Sequence, residues 1–160
     1  MPTKPATPRT RHRGATRKAL ISCCFGALSL LTACGAGGIS DTVSTAAEDT
    51  ASAIATARIA TRLEMDGQLT RAATSTALDD ALKEVQTSRD TVLRLAPSTA
   101  EDRQLREEAL KVLDTSTAGL TTARDAVSSD DGGPSLSDGD RALAAAEEAL
   151  NGLKTKAGGK

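Results

Sequence analysis

From Asp41 onward the apolar residues return every three or four positions and show no sustained alternation with polar ones. That spacing is the period of one face of an α-helix, and the missing two-residue period argues against half-buried strands. The residues between point the same way. Ala accounts for 29 of the 160 residues, and Leu, Glu, Lys and Arg, also strong helix formers, are plentiful. Breakers divide the run into four segments: Asp66-Gly67, Pro97, and the stretch from Ser128 to Gly139 with Gly132-Gly133-Pro134 inside it. The expected fold is all-α, an elongated up-and-down bundle of three or four helices.

Each segment has its own stripe. The first helix is expected from Asp41 to Met65, with a weak, small-faced stripe of Val43, Ala47, Ile54, Ala57, Ile59 and Leu63. The second is expected from Gln68 to Ala96, with Leu78, Leu82, Val85, Val92 and Leu95 as its seam. The third follows Pro97, and Ser98-Thr99-Ala100-Glu101 reads as a capping box with Ser98 at the cap. Its stripe is Leu110, Leu113, Thr117, Leu120, Arg124 and Val127, widened by Leu105, Ala109 and Val112. Gly119, costly in mid-helix, marks a close helix contact. The fourth is expected from Asp138 to Thr155, with Leu136, Leu143, Ala146, Leu150 and Leu153. These stripes read as core. Residues 34–160 contain only 22 Leu, Ile and Val, so the core is thin and the first helix is expected to be the loosest.

The first 38 residues are of another kind. Positions 1–18 carry six basic residues and no acid, and Ala19 to Leu31 is an apolar run of 13. That run falls short of the ~20 residues a spanning helix needs, and a basic stretch followed by a short apolar one reads as a secretory signal. Leu31-Thr32-Ala33-Cys34 closes it, followed by Gly35-Ala36-Gly37-Gly38. Those four residues resemble the lipobox of bacterial lipoproteins. The resemblance implies a diacylglyceryl group on the Cys34 sulfur. It also implies a peptidase that recognises Leu31, Thr32 and Ala33 and cuts before Cys34. Two acyl chains there would anchor the protein stably. The implied organisation is a signal peptide (1–33), a lipidated N-terminus and flexible tether (34–40), a helical bundle domain (41–155) and a tail (156–160). The resemblance covers only the leader, about a fifth of the chain. Leu20-Ile21-Ser22-Cys23 fits the same four letters but has no apolar run before it. The leader suits the general secretory route. Thr16 to Ile21 also looks like a degenerate twin-arginine signal with Lys18 in place of the second arginine.

Residues 34–160 contain no aromatic residue, no His and a single Cys, because His12 and Phe25 lie upstream. They keep all 21 acids but only 14 of the 20 Lys and Arg, a formal net charge of −7. Acidity without stacking residues argues against a nucleic-acid partner. Without His or a free thiol there is no Ser-His-Asp or Cys-His site and no zinc site of the usual type. The acidic stretch from Asp130 fails as a calcium loop, because its sixth position is Ser135 and its twelfth Arg141. We therefore expect no catalytic residue, no cofactor-binding or metal-binding residue, and no enzyme activity. The expected partners are the membrane, through lipid on Cys34, and a protein partner or homo-oligomer. The implied protein is lipid-anchored at the extracytoplasmic face of the cell membrane, a helical interaction or structural module of the envelope. A small solute- or peptide-binding lipoprotein is the alternative, and a carboxylate hydrolase a third reading.

Overall fold

Four α-helices are present in the computed structural model, which describes residues 38–129 and 132–158. They are α1 (Ile39–Met65), α2 (Arg71–Leu93), α3 (Ala100–Ser128) and α4 (Leu136–Gly158). Leu31, Thr32, Ala33 and Cys34 lie outside the described residues, as do Asp130 and Asp131. At 1.5 Å per residue the 29-residue α3 is about 43 Å long.

The breakers act as their chemistry requires. Gly67 takes φ +68, a left-handed conformation that ends α1. Its N–H donates to Glu64 O (2.9 Å) and that of Gln68 to Leu63 O (2.8 Å), the paired bonds of a Schellman motif. Because this motif uses Gln68, α2 starts later than expected, with Thr70 as its cap accepting from Ala73 N at 3.3 Å. At the other end α2 stops at Leu93 rather than Ala96. A helix continued to Pro97 would press the ring onto the carbonyl of residue 93, and Ala96 is steered toward extended backbone. Arg106 on α3 takes over that end, with Nε donating to Val92 O (3.1 Å) and Nη2 to Leu93 O (2.7 Å).

One cap expectation needs correction. The cap of α3 is Thr99, not Ser98: its Oγ1 accepts from Asp102 N at 3.0 Å. Thr99-x-x-Asp102 offers the same polar spacing one residue on, and Thr99 is the last extended residue before the helix. A reciprocal capping box does occur, but it opens α4. Ser135 N donates to Asp138 Oδ2 (3.0 Å), and Asp138 N donates back to Ser135 Oγ (3.2 Å). That box starts α4 at Leu136 and brings Gly139 into the helix.

Neighbouring helices pack in sequence order around a ring, α1 on α2, α2 on α3, α3 on α4 and α4 on α1. α1 also reaches α3 across the middle, so the helix with the weakest stripe packs against all three others. On α2 the buried residues are Thr74, Leu78, Ala81, Val85, Ser88 and Val92, at alternating four and three. α4 repeats the pattern with Gly139, Leu143, Ala146, Leu150, Leu153 and Ala157. This is the seam of a coiled-coil-like bundle. Ile54, Leu78, Leu113, Leu120, Leu143 and Leu150 are the largest fully buried side chains. Burying each contributes about 1.5–3 kcal/mol.

Some stripe residues sit elsewhere than expected. Ile59 is 60% exposed. The buried face of α1 is set by Ile54, Ala57 and Thr61, and two residues past Ala57 is about 200° around the helix. On α3, Arg124 is exposed and paired with Asp79 (3.1 Å), while Ser116 and Ala123 hold the core positions. Gly119 does mark a close contact: a Cβ there would lie 3.0 Å from Ala142 O. Gly139 answers it from α4, where a Cβ would lie 2.9 Å from Ala123 Cα.

Candidate functional site

Charge between helices is densest where α1 meets the start of α4. Arg58 and Arg62, one turn apart on α1, both reach Asp140: Nε of Arg58 at 3.0 Å and Nε of Arg62 at 2.9 Å share Oδ1. Arg62 Nη2 adds a contact to Oδ2 at 3.3 Å, and Arg58 Nη1 extends to Glu147 at 2.7 Å. Asp140 and Glu147 are seven residues apart on α4, so they share a face. Partial burial works to raise the Asp140 carboxyl. The hydrogen bonds and charges of Arg62 and Arg58 outweigh it and hold the group below the ordinary carboxylate range. The Arg58 guanidinium is raised, first by its bond to Glu147 and then by Asp140. Both acids are occupied by arginine, so the cluster joins two helices rather than presenting a free acid or base.

Asp138, a residue of the rejected calcium stretch, is committed to its cap. Its carboxyl is lowered first by the bond from the Ser135 hydroxyl, then by the Ser135 backbone N–H, and it also accepts from Arg141 at 2.9 Å. Among the described residues no three His, Cys, Asp or Glu side chains gather as metal ligands.

Two hollows among the described residues are open troughs between helices. One, about 590 Å³, runs between α3 and α4, where Ala149 and Gly152 leave room beside Val112 and Leu153 and the rim carries Glu108 and Lys111. Another, about 430 Å³, lies between α1 and α2, with Ala53 and Ala77 inside and Asp49, Asp80 and Glu84 at its edge. Small side chains produce both, because alanine and glycine on facing helices leave the space a larger residue would fill.

Nothing local in the sequence marks Arg58, Arg62, Asp140 and Glu147 as a cluster. The spacings are there: two arginines spaced by four on one helix and two acids spaced by seven on another. What they lack is the pairing of α1 with α4, which is a long-range contact. The expected site, Leu31 to Cys34, lies outside the described residues.

Fold and surface together define a four-helix bundle whose chemistry is packing and ion pairing. Comparison with family models, curated proteins and solved structures returned no match. No helix among the described residues is long and apolar enough to cross a membrane.

Proposed function

We propose that this is a lipid-anchored protein of the extracytoplasmic face of the cell membrane, held through Cys34, whose bundle binds a protein partner or a second copy. The observation that carries the reading is an order in the sequence. A basic stretch, 13 apolar residues and Leu31-Thr32-Ala33-Cys34 are followed by only four residues before α1 begins at Ile39. Cys34 carries the anchor, and Leu31, Thr32 and Ala33 form the peptidase recognition site. The troughs support binding of a helix or extended chain laid along the bundle, since a small solute needs a more enclosed pocket.

Metabolic labelling with a fatty acid tests the anchor. The wild-type chain is expected to incorporate label and fractionate with membranes, and Cys34→Ala to lose both. Label and membrane association that survive in the variant would refute the anchor. Cross-linking in intact cells tests the second half, with a discrete hetero- or homo-oligomer expected. Recovery of monomer alone would count against it.

A further inference from the structure

We infer that the α2–α3 loop is a membrane-contacting tip that seats this end of the bundle against phospholipid headgroups. The inference rests on the lipid-anchor reading above.

The first observation is reach. Four residues, Gly35 to Gly38, separate Cys34 from the first residue of α1. The five steps from Cys34 to Ile39, at no more than about 3.6 Å each, span at most roughly 18 Å, so the N-terminal end of α1 stays close to whatever holds Cys34. The second is topology. The Ser40 hydroxyl donates to Ala157 O, which places the C-terminal end of α4 beside the start of α1. The antiparallel order puts the end of α2 and the start of α3 at that same end.

The third is the surface found there. Leu93, 38% exposed, is the large exposed apolar residue at this end; the other two, Ile59 and Met65, lie on α1 toward the far end. Leu95 packs against the core, Pro97 is half-buried and Ala96 is exposed, so the tip presents Leu93, Ala96 and Pro97 where a loop between helices is ordinarily polar. Arg94 and Arg103 flank it, exposed and without an ion-pair partner among the described residues. Arg106 clamps the carbonyls at its base, so the tip is held in shape.

Charge gives the fourth observation. Within five residues of the helix ends, and in the loop between them, the described residues at this end are Arg89, Arg94, Arg103, Lys154 and Lys156 against Asp41, Asp90, Glu101 and Asp102, with Lys156 paired to Glu108. The same depth at the far end holds Arg62, Arg71 and Arg124 against Glu64, Asp66, Asp125, Asp138 and Asp140. An anionic surface therefore attracts the tethered end relative to the far one. Apolar residues ringed by arginine fit a lipid headgroup boundary, where the guanidinium meets phosphate and the leucine enters the acyl edge.

The test uses the full, lipidated protein in vesicles of phosphatidylethanolamine and phosphatidylglycerol. Cys34 is the single cysteine of residues 34–160 and its sulfur is acylated under the reading, so an introduced thiol is the only labelling site. Ala96→Cys and Gln68→Cys place an environment-sensitive fluorophore at the near and far ends. Vesicle flotation reports the anchor, and quenching by headgroup spin-labelled lipid reports the contact. The protein is expected to float in both cases, with quenching several-fold stronger at position 96 than at 68. Adding Leu93→Glu and Arg94→Glu is expected to bring the two to parity without loss of flotation. Flotation with equal quenching at both positions overturns the contact and leaves the anchor standing. Failure to float overturns both.

Discussion

Two glycines on one helix offer a measurement in which most of the background cancels. Gly139 and Gly152 both lie in α4, and Gly→Ala in a helix is worth up to about 1 kcal/mol in propensity at either position. Their surroundings are opposite. A Cβ at Gly152 meets nothing within 4 Å among the described residues. At Gly139 it meets Ala123 Cα at 2.9 Å, Ala123 Cβ at 3.2 Å and Ala126 Cβ at 3.5 Å. Carbon atoms rest about 3.5–4.0 Å apart, so α3 and α4 must separate by roughly 0.6–1 Å at that point. The nearest obstacle is backbone, which cannot rotate away, and overpacking of this kind costs about 1–3 kcal/mol. Gly152→Ala should therefore stabilise by up to about 1 kcal/mol, while Gly139→Ala should fall below it by about 1–3 kcal/mol. For a domain near this size the gap corresponds to roughly 4–12 °C in Tm. Thermal and urea unfolding of the two variants beside wild type would measure it. Gly119→Ala, whose Cβ would lie 3.0 Å from Ala142 O, should behave like Gly139→Ala. Equal gains at positions 139 and 152 would refute the close α3–α4 approach.

Three further outcomes follow from single contacts. Thr50 is fully buried and its Oγ1 has no hydrogen-bond partner among the described residues. Thr50→Val should therefore stabilise by about 1–3 kcal/mol in urea unfolding, and a loss of stability would contradict the orphaned hydroxyl. Thr61→Val, which removes a 2.9 Å bond to Ala57 O, should give no such gain. Asp140 titrates below its ordinary range, so its contribution is present above the unfolded pKa of about 4 and disappears as pH falls through the lower folded value. Asp140→Asn should thus be less stable than wild type at about pH 7 and converge with it as acid protonates Asp140; a pH-independent difference would argue against the ion pair. Ser135→Ala removes one half of the α4 capping box and should cost about 0.5–2 kcal/mol by the same assay, with no loss expected if Asp138 merely faces solvent.

The helices were legible because each is long and bounded by a residue with a fixed backbone preference. Gly67 and Pro97 stop helices through sterics that act within a few residues, and the sequence carries that information in full. Gly119 was legible as a contact because a glycine in mid-helix needs a close neighbour to offset its cost. Gly139 was not, since it stands inside a run of turn residues and only the Ser135–Asp138 cap shows that the helix has already begun. The core faces were read from apolar letters, and this is where α1 and α3 misled. Thr61, Thr74 and Ser116 are buried because each hydroxyl bonds back to its own helix, at 2.9, 3.3 and 3.0 Å, leaving a small side chain that packs. A stripe scored on hydrophobicity passes over them and reaches for Ile59 on α1, while on α3 the three–four spacing taken through Thr117 lands on Arg124 instead of Ala123. The Arg58–Asp140–Glu147 and Arg62–Asp140 pairs depend on which helices neighbour each other, and no local pattern fixes that.

The contact between Ser40 and Ala157 also bears on how the chain could be rewired. The bundle starts and finishes at the same place, so a short linker could join the end of α4 to the start of α1. New termini could then open at Gly132-Gly133, exposed in the loop before α4. Such a circular permutant keeps every helix intact and moves the point of attachment to the opposite end. It would separate the contribution of the four-helix packing from that of the end by which the molecule is held.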